Sequence, residues 1–165
     1  MLLKKLKIYI YMIMKNLKNP KYLGKNTKLN QDNPDKFVLD PIDNPHPDKD
    51  YSIRFSSPEF TSICPITSQP DFGNIIIDYI PNKLLLESKS LKLFLFSFRN
   101  YGGFHEDCTI KIAKKIIHYV KPKWIRIVSV WNPRGGIPID VFFEEGMVPK
   151  KVHVQDLNMN VYKPR

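Results

Sequence analysis

Cysteine is scarce in this chain. Only Cys64 and Cys108 occur, too few to staple a small secreted scaffold, so both are expected as free thiols in a cytoplasmic protein. Glycine is scarce too, with 7 residues in 165. No G-x-G-x-x-G run is present, which excludes a dinucleotide held in the glycine-rich crevice of a Rossmann sheet. Long apolar runs are also missing: the stretch from Ile8 to Met14 falls far short of the ~20 residues that a membrane-crossing helix takes. Acidic residues are absent from the first 28 positions, which carry eight lysines. The formal charge of +10 therefore belongs mostly to the leading segment, because residues 29–165 hold 18 basic against 16 acidic side chains. So near-neutral a body argues against phosphate tracking along nucleic acid as the main role, since that mode scales with the number of phosphates neutralised.

The basic, apolar start imitates a signal peptide, yet no small-residue cleavage site follows it. Residues 1–20, closed by Pro20, are expected to be a disordered extension, and residues 21–165 one domain. From Asp32 to Asp50 the text is rich in Pro and Asp and predicts an arm with turns that hugs the surface. Tyr51 to Ser57 and Gly73 to Ile80 read as strands. Leu91, Phe94, Leu95 and Phe98 fit helical spacing, with Ser88 or Ser90 as cap. Thr109, Ile112, Ala113, Ile116, Ile117 and Val120 form a clearer helical stripe that Pro122 ends, with Glu106 and Asp107 at its positive end. Trp124 to Trp131 and Ile137 to Phe143 are β-rich and joined through Asn132-Pro-Arg-Gly-Gly136. The order is two strands, two helices, two strands, without an internal repeat. A sheet covered by helices on one face keeps open edges, so a symmetric homo-oligomer is expected.

Residues 60–71, Phe-Thr-Ser-Ile-Cys-Pro-Ile-Thr-Ser-Gln-Pro-Asp, concentrate the reactive chemistry. Pro65 follows Cys64 and Pro70 precedes Asp71, and their backbone restrictions predict a bent loop over the whole stretch. A thiol and a carboxylate turned toward one pocket form a nucleophile and a proton-handling partner. The plainer alternatives are a small buried cysteine and an aspartate that caps a turn. Because an ionised carboxylate raises the pKa of a neighbouring thiol, Asp71 is cast as proton acceptor and donor rather than as thiolate stabiliser.

His105 and Glu106 stand where a glycine-containing loop becomes a helix. Glu106 either complements the helix dipole or accepts from two adjacent donors of a guanine-like edge, a pairing worth about 1–3 kcal/mol of discrimination in base-edge readout. Glu87 is a cap or a second contact to such a ring. Lys89, Lys92 and Arg134 are solvated charges or phosphate ligands, and Gly135 and Gly136 would let the backbone beside Arg134 approach a ligand closely.

Phe60 to Asp71, with Glu87-Ser-Lys-Ser-Leu-Lys-Leu-Phe94, Ser97-Phe-Arg-Asn100, Phe104-His-Glu-Asp-Cys108 and Pro133-Arg-Gly-Gly136, resemble the NADPH-dependent 7-cyano-7-deazaguanine reductases of queuosine biosynthesis in their short, single-module form. The resemblance runs from Tyr22 to the C terminus. It implies an α+β tunnelling fold: an antiparallel four-stranded sheet with two antiparallel helices on one face, order ββααββ, assembled as a homo-oligomer of pentamer-based rings that closes a barrel. It also implies two NADPH per turnover and no metal. By the resemblance, Cys64 attacks the nitrile to give a covalent thioimide and Asp71 moves the protons. Leu86, Glu87 and Ser88 line the substrate pocket, His105 and Glu106 read the deazaguanine ring, and Lys89, Lys92 and Arg134 contact NADPH. The partners are then a small deazapurine and NADPH, with no direct binding of nucleic acid or membrane. The first rival is a zinc hydrolase of the same fold group, with Cys64, His105 and Cys108 as its three ligands. The second is a nucleic-acid binding module that uses the lysine-rich start.

Overall fold

The computed structural model describes residues 33–157; the extension expected over residues 1–20 lies outside them. Asn33 caps a 3-10 turn at Pro34–Lys36, and β1 (Pro41–Asp43) follows. The chain continues through β2 (Ile53–Ile63), β3 (Pro70–Ile80), β4 (Leu84–Leu86), α1 (Ser88–Phe96), α2 (His105–Val120), β5 (Trp124–Trp131) and β6 (Asp140–Gly146). Strands β2, β3, β5 and β6 make one antiparallel sheet in that order, and β1 pairs with β4 in a small antiparallel sheet of its own. Both helices are inserted between β3 and β5, so the class is α+β.

Two periodicities meet in the core. Alternate residues of β3 and β5, namely Ile75, Ile77, Tyr79, Ile125 and Ile127, point to one face. They share a buried cluster with Leu91 and Phe94 of α1 and with Ile112, Ala113, Ile116 and Val120 of α2, residues that recur at helical spacing. Helix α2 stops at Lys121, which takes the left-handed conformation at φ 49° and closes its N–H on the Ile117 carbonyl. Pro122 then forbids continuation.

Two expectations are corrected. The arm before Asp50 does more than run over the surface: Phe37 and Leu39 are buried in the core, and Pro41 pairs with Leu86. Its prolines interrupt regular structure, but the apolar residues between them still find burial. The reactive stretch is half strand, since β2 extends through Ile63 and β3 already begins at Pro70, and the bend is confined to residues 64–69. Proline is tolerated as the first residue of a strand because it owes the ladder no donor there. Pro58 lies within the register shift between Ser57 and Phe60, on an edge strand that can bulge.

On the face away from the helices, Asp78 is buried and holds Arg54 (Nε–Oδ1 2.6 Å) and Arg126 (Nη2–Oδ2 2.8 Å). Both guanidiniums also donate to the carbonyl of Gln155, which ties residues 153–156 across the back of the sheet. Among the described residues no helix is long and apolar enough to cross a membrane.

Candidate active site

Cys64 opens the tight turn that links β2 to β3. Its N–H donates to the Gln69 carbonyl at 2.8 Å, and the Ser68 N–H returns to the Cys64 carbonyl at 3.0 Å, with Ser68 in the left-handed region at φ 57°. The turn gathers donors around the sulfur. A hydrogen bond from the Thr67 hydroxyl, the N–H groups of Thr67 and Ile66, and the Arg134 guanidinium together outweigh burial and pull the thiol down to about 6. The expectation that Asp71 would make this thiol a weaker acid is therefore reversed by the turn and by Arg134.

Asp71 is the second residue of β3, opposite Ser62, and it is buried. The Arg134 guanidinium pairs with its Oδ1. His105 brings Nε2 to 3.2 Å from Oδ2. That is ion-pair range, yet neither atom completes a hydrogen bond because the approach is off line. A buried acceptor and a buried ring nitrogen thus face each other with capacity left over, which a polar ligand atom or a transferred proton could fill.

The imidazole is held from behind. Its ring stacks on the Trp131 indole, and Trp131 Nε1–H donates to the Ser129 hydroxyl at 2.9 Å. Ser129 lies 2.6 Å from the Thr109 hydroxyl, which donates to the His105 carbonyl at 2.7 Å. Gly73, paired with Trp131, makes room for the indole: a Cβ there would stand 3.2 Å from Trp131 and 3.0 Å from the Val130 carbonyl. Trp131 also packs edge-on to Phe60, so the site is braced by the aromatic core.

The remaining candidates lie elsewhere in the same chain. Glu106 is exposed in the first turn of α2, beside His105. Glu87 is buried and caps α1, its two carboxylate oxygens accepting from Lys89 N–H (2.9 Å) and Ser90 N–H (2.7 Å). Leu86 packs into the core, and its N–H donates to the Tyr79 hydroxyl. Ser88 and Lys92 line a groove of ≈ 440 Å³ between α1 and the bulged part of β2, together with Leu91, Leu95, Phe96 and Arg99. Lys89 belongs to the same first turn of α1. Tyr79 and Asp71 sit near opposite ends of β3, on the order of 25 Å apart at ~3.3 Å per residue. Within one chain, then, Cys64, Asp71, His105 and Arg134 come together, while Leu86 contacts Tyr79 and Ser88 and Lys92 line the separate groove that runs along β2 from Phe55 to Thr61.

Thr67, Trp131 and Arg99 were not singled out from sequence. A hydroxyl three residues after the cysteine was the available signal for Thr67, and position inside the Ser97-Phe-Arg-Asn100 motif was the signal for Arg99. The zinc alternative finds little support in the ligand geometry. Burial raises the Cys108 thiol to about 12, its sulfur lies where a Cβ on Gly103 would meet it, and His105 Nε2 is turned toward Asp71. Among the described residues no three His, Cys, Asp or Glu side chains converge as a ligand set.

Comparison with known proteins follows this geometry. Residues 70–150 match a family profile described as QueF-like protein. A NADPH-dependent 7-cyano-7-deazaguanine reductase from Brucella anthropi is 51% identical over 145 residues, 88% of this chain and 93% of that one. The reductase of the same name from Parvibaculum lavamentivorans is 51% identical over 93% of this chain and 99% of its own. That from Rhodopseudomonas palustris strain HaA2 is 56% identical over 80% and 84%. The crystal structure of an archaeosine synthase QueF-Like in the apo form superposes with a TM-score of 0.55 at 24% identity, over 59% of this chain and 96% of that one; this likeness speaks for the fold. With about half of all residues identical along nearly the whole length of such relatives, the chain belongs to the family of NADPH-dependent 7-cyano-7-deazaguanine reductases.

Proposed function

We propose that this chain uses NADPH to reduce the nitrile of 7-cyano-7-deazaguanine to the aminomethyl group of 7-aminomethyl-7-deazaguanine, a step of queuosine biosynthesis in the cytoplasm. The observation that carries the reading, beyond family membership, is the acidic Cys64 thiol beside the buried Asp71 carboxylate. A nitrile carbon accepts hydride reluctantly. Attack by the Cys64 sulfur forms a C–S bond and pushes one π pair of the triple bond onto nitrogen, which takes a proton from Asp71. The product is a thioimide on Cys64. NADPH, when bound, would supply two hydrides: one to the thioimide carbon, after which the C–S bond breaks to return the Cys64 sulfur and leave an imine, and one to that imine carbon, each matched by a proton taken up on nitrogen.

The residues of the α1 groove suit such a dinucleotide. Lys92 and Arg99 offer cations and Ser88 a hydroxyl for phosphate, while Leu91, Leu95 and Phe96 offer an apolar wall for a ring. Lys89 would serve the same phosphates. His105 and Glu106 would read the donors of the deazaguanine ring, with Leu86, Glu87 and Ser88 closing the pocket from another side.

Within one chain the α1 groove and the Cys64 cluster are separate sets of residues, and β2 and β6 are open edges of the sheet, which supports a site completed between copies. We read the chain as a tunnelling fold whose edge strands β2 and β6 pair with neighbours in pentamer-based rings. Light scattering should then give a ring-sized mass. Mixing inactive Cys64→Ala with inactive Lys92→Glu subunits should restore part of the activity. Monomeric, active protein would refute the shared site.

The function itself is tested by following NADPH consumption with the nitrile and weighing the product. Two NADPH per amine are expected, along with a covalent adduct on the wild type and neither on Cys64→Ala. Undiminished reduction by that variant would defeat the proposal.

A further inference from the structure

Arg134 stands in a hairpin loop whose Gly135 and Gly136 both take positive φ with open space around them. Its side chain is 42% exposed, yet the guanidinium reaches inward to the 4% exposed Asp71 carboxylate and to the Cys64 sulfur. A phosphate ligand waiting in solvent would have no need of either contact. Building on the nitrile-reducing reading above, we propose that Arg134 is a positioning residue for the addition step, bridging Asp71 and Cys64 so that the charge left on the sulfur is balanced as its proton passes to Asp71.

The balance closes within these groups. The S–H bond breaks and its proton passes to the Asp71 carboxylate. The sulfur pair then forms the C–S bond, the displaced π pair moves to the nitrile nitrogen, and that nitrogen takes the proton back from Asp71. One negative charge is thus shared between Cys64 and Asp71 throughout, and the Arg134 cation faces both places where it can sit. Without that cation the two groups would repel whenever both had lost their protons. The other titratable groups turned toward Asp71 are His105, from the start of α2, and the buried Cys108 one turn later. Neither bridges to Cys64. Thr67 and the N–H groups of the turn supply the rest of the stabilisation of the sulfur but do not touch Asp71.

The test uses the full chain without NADPH, so that any role of Arg134 in holding the cofactor is silent. Iodoacetamide alkylation of Cys64 is followed by intact mass across pH for wild type, Arg134→Gln and Arg134→Lys, alongside the rate of adduct formation with 7-cyano-7-deazaguanine. In Arg134→Gln the alkylation profile should move to higher pH by about one unit, and adduct formation should slow about twofold near neutrality and about tenfold near pH 5, since a one-unit rise is a tenfold change in thiolate only well below the thiol's own value. Arg134→Lys keeps the charge and should recover part of both. If Arg134→Gln leaves both profiles in place and only raises the KM for NADPH, Arg134 is a phosphate ligand and the proposal is overturned. A folded Arg134→Lys protein that alkylates like the Gln variant overturns it as well. Absence of any adduct on the wild type would instead sink the nitrile reaction, while the alkylation profiles would still decide whether Arg134 governs Cys64.

Discussion

His105 lies flat on Trp131, with ring centroids 4.0 Å apart and planes 8° from parallel, so the imidazole that faces Asp71 has its orientation set by β5. A helix terminus alone would leave that ring free to rotate about χ2. The stack, backed by Ser129 and Thr109, turns a mobile side chain into a fixed wall of the site.

Trp131→Phe should therefore be milder than Trp131→Ala. Phenylalanine preserves a stacking face and loses the hydrogen bond to Ser129. Alanine should lower stability by about 3–5 kcal/mol through the cavity and should release His105. Urea denaturation read beside the KM for the nitrile substrate checks both; equal stability and equal KM in the two variants would contradict this role.

The two cysteines should react very differently. With Cys64 pulled down to about 6 and Cys108 raised to about 12 by burial, iodoacetamide at neutral pH should label one thiol per chain, and peptide mapping should find it at Cys64. Its rate should fall about tenfold per unit as pH drops below the Cys64 value, because the thiolate alone is nucleophilic. Cys108 should be labelled once denaturant unfolds the chain. The same shift favours the folded state as pH rises from about 6 toward the usual thiol range, and that contribution is lost as pH falls through about 6.

Glu87 uses its carboxylate on its own helix, so Glu87→Ala should cost stability whatever it does to substrate. The loss of an N-cap is worth about 0.5–2 kcal/mol. Glu87→Gln retains an acceptor oxygen and should recover much of that. Thermal melts of both variants decide it: a melt for the alanine variant identical to wild type would show that the cap contributes nothing.

Asp78 holds two arginines that in turn bind the Gln155 carbonyl. Asp78→Ala leaves those cations without their buried counter-charge and should destabilise by on the order of 3 kcal/mol. That figure is at the low end for such changes, because both guanidiniums keep a carbonyl partner and some water. Cys64 alkylation at neutral pH should be unaffected, since Asp78 lies on the far face of the sheet. Protease cleavage within residues 153–156 should become faster.

Much of the architecture was legible because it is written in short-range periodicity. The stripe from Thr109 to Val120 became the buried face of α2, and Trp124 to Trp131 became β5 with the bounds expected. Strand ends were less legible. Phe60 to Ile63 read as loop because two prolines flank the turn, whereas pairing with β3 holds that segment extended. Phe37 and Leu39 read as surface because nothing local shows which apolar residues of an irregular arm reach the core.

The amino-acid order alone determined the closeness in sequence of the candidate pair Cys64 and Asp71, the helix that carries His105 and Glu106, and the motifs that mark the family, since each depends on residue type and spacing along a few turns of chain. Tertiary structure alone decided that Arg134 closes on Asp71, that Trp131 supports His105, and that Ser88 and Lys92 share a groove with β2. The physical reason is that such contacts join strands, helices and loops distant in sequence. Their distances come from sheet register and helix packing, which no local window of residues contains.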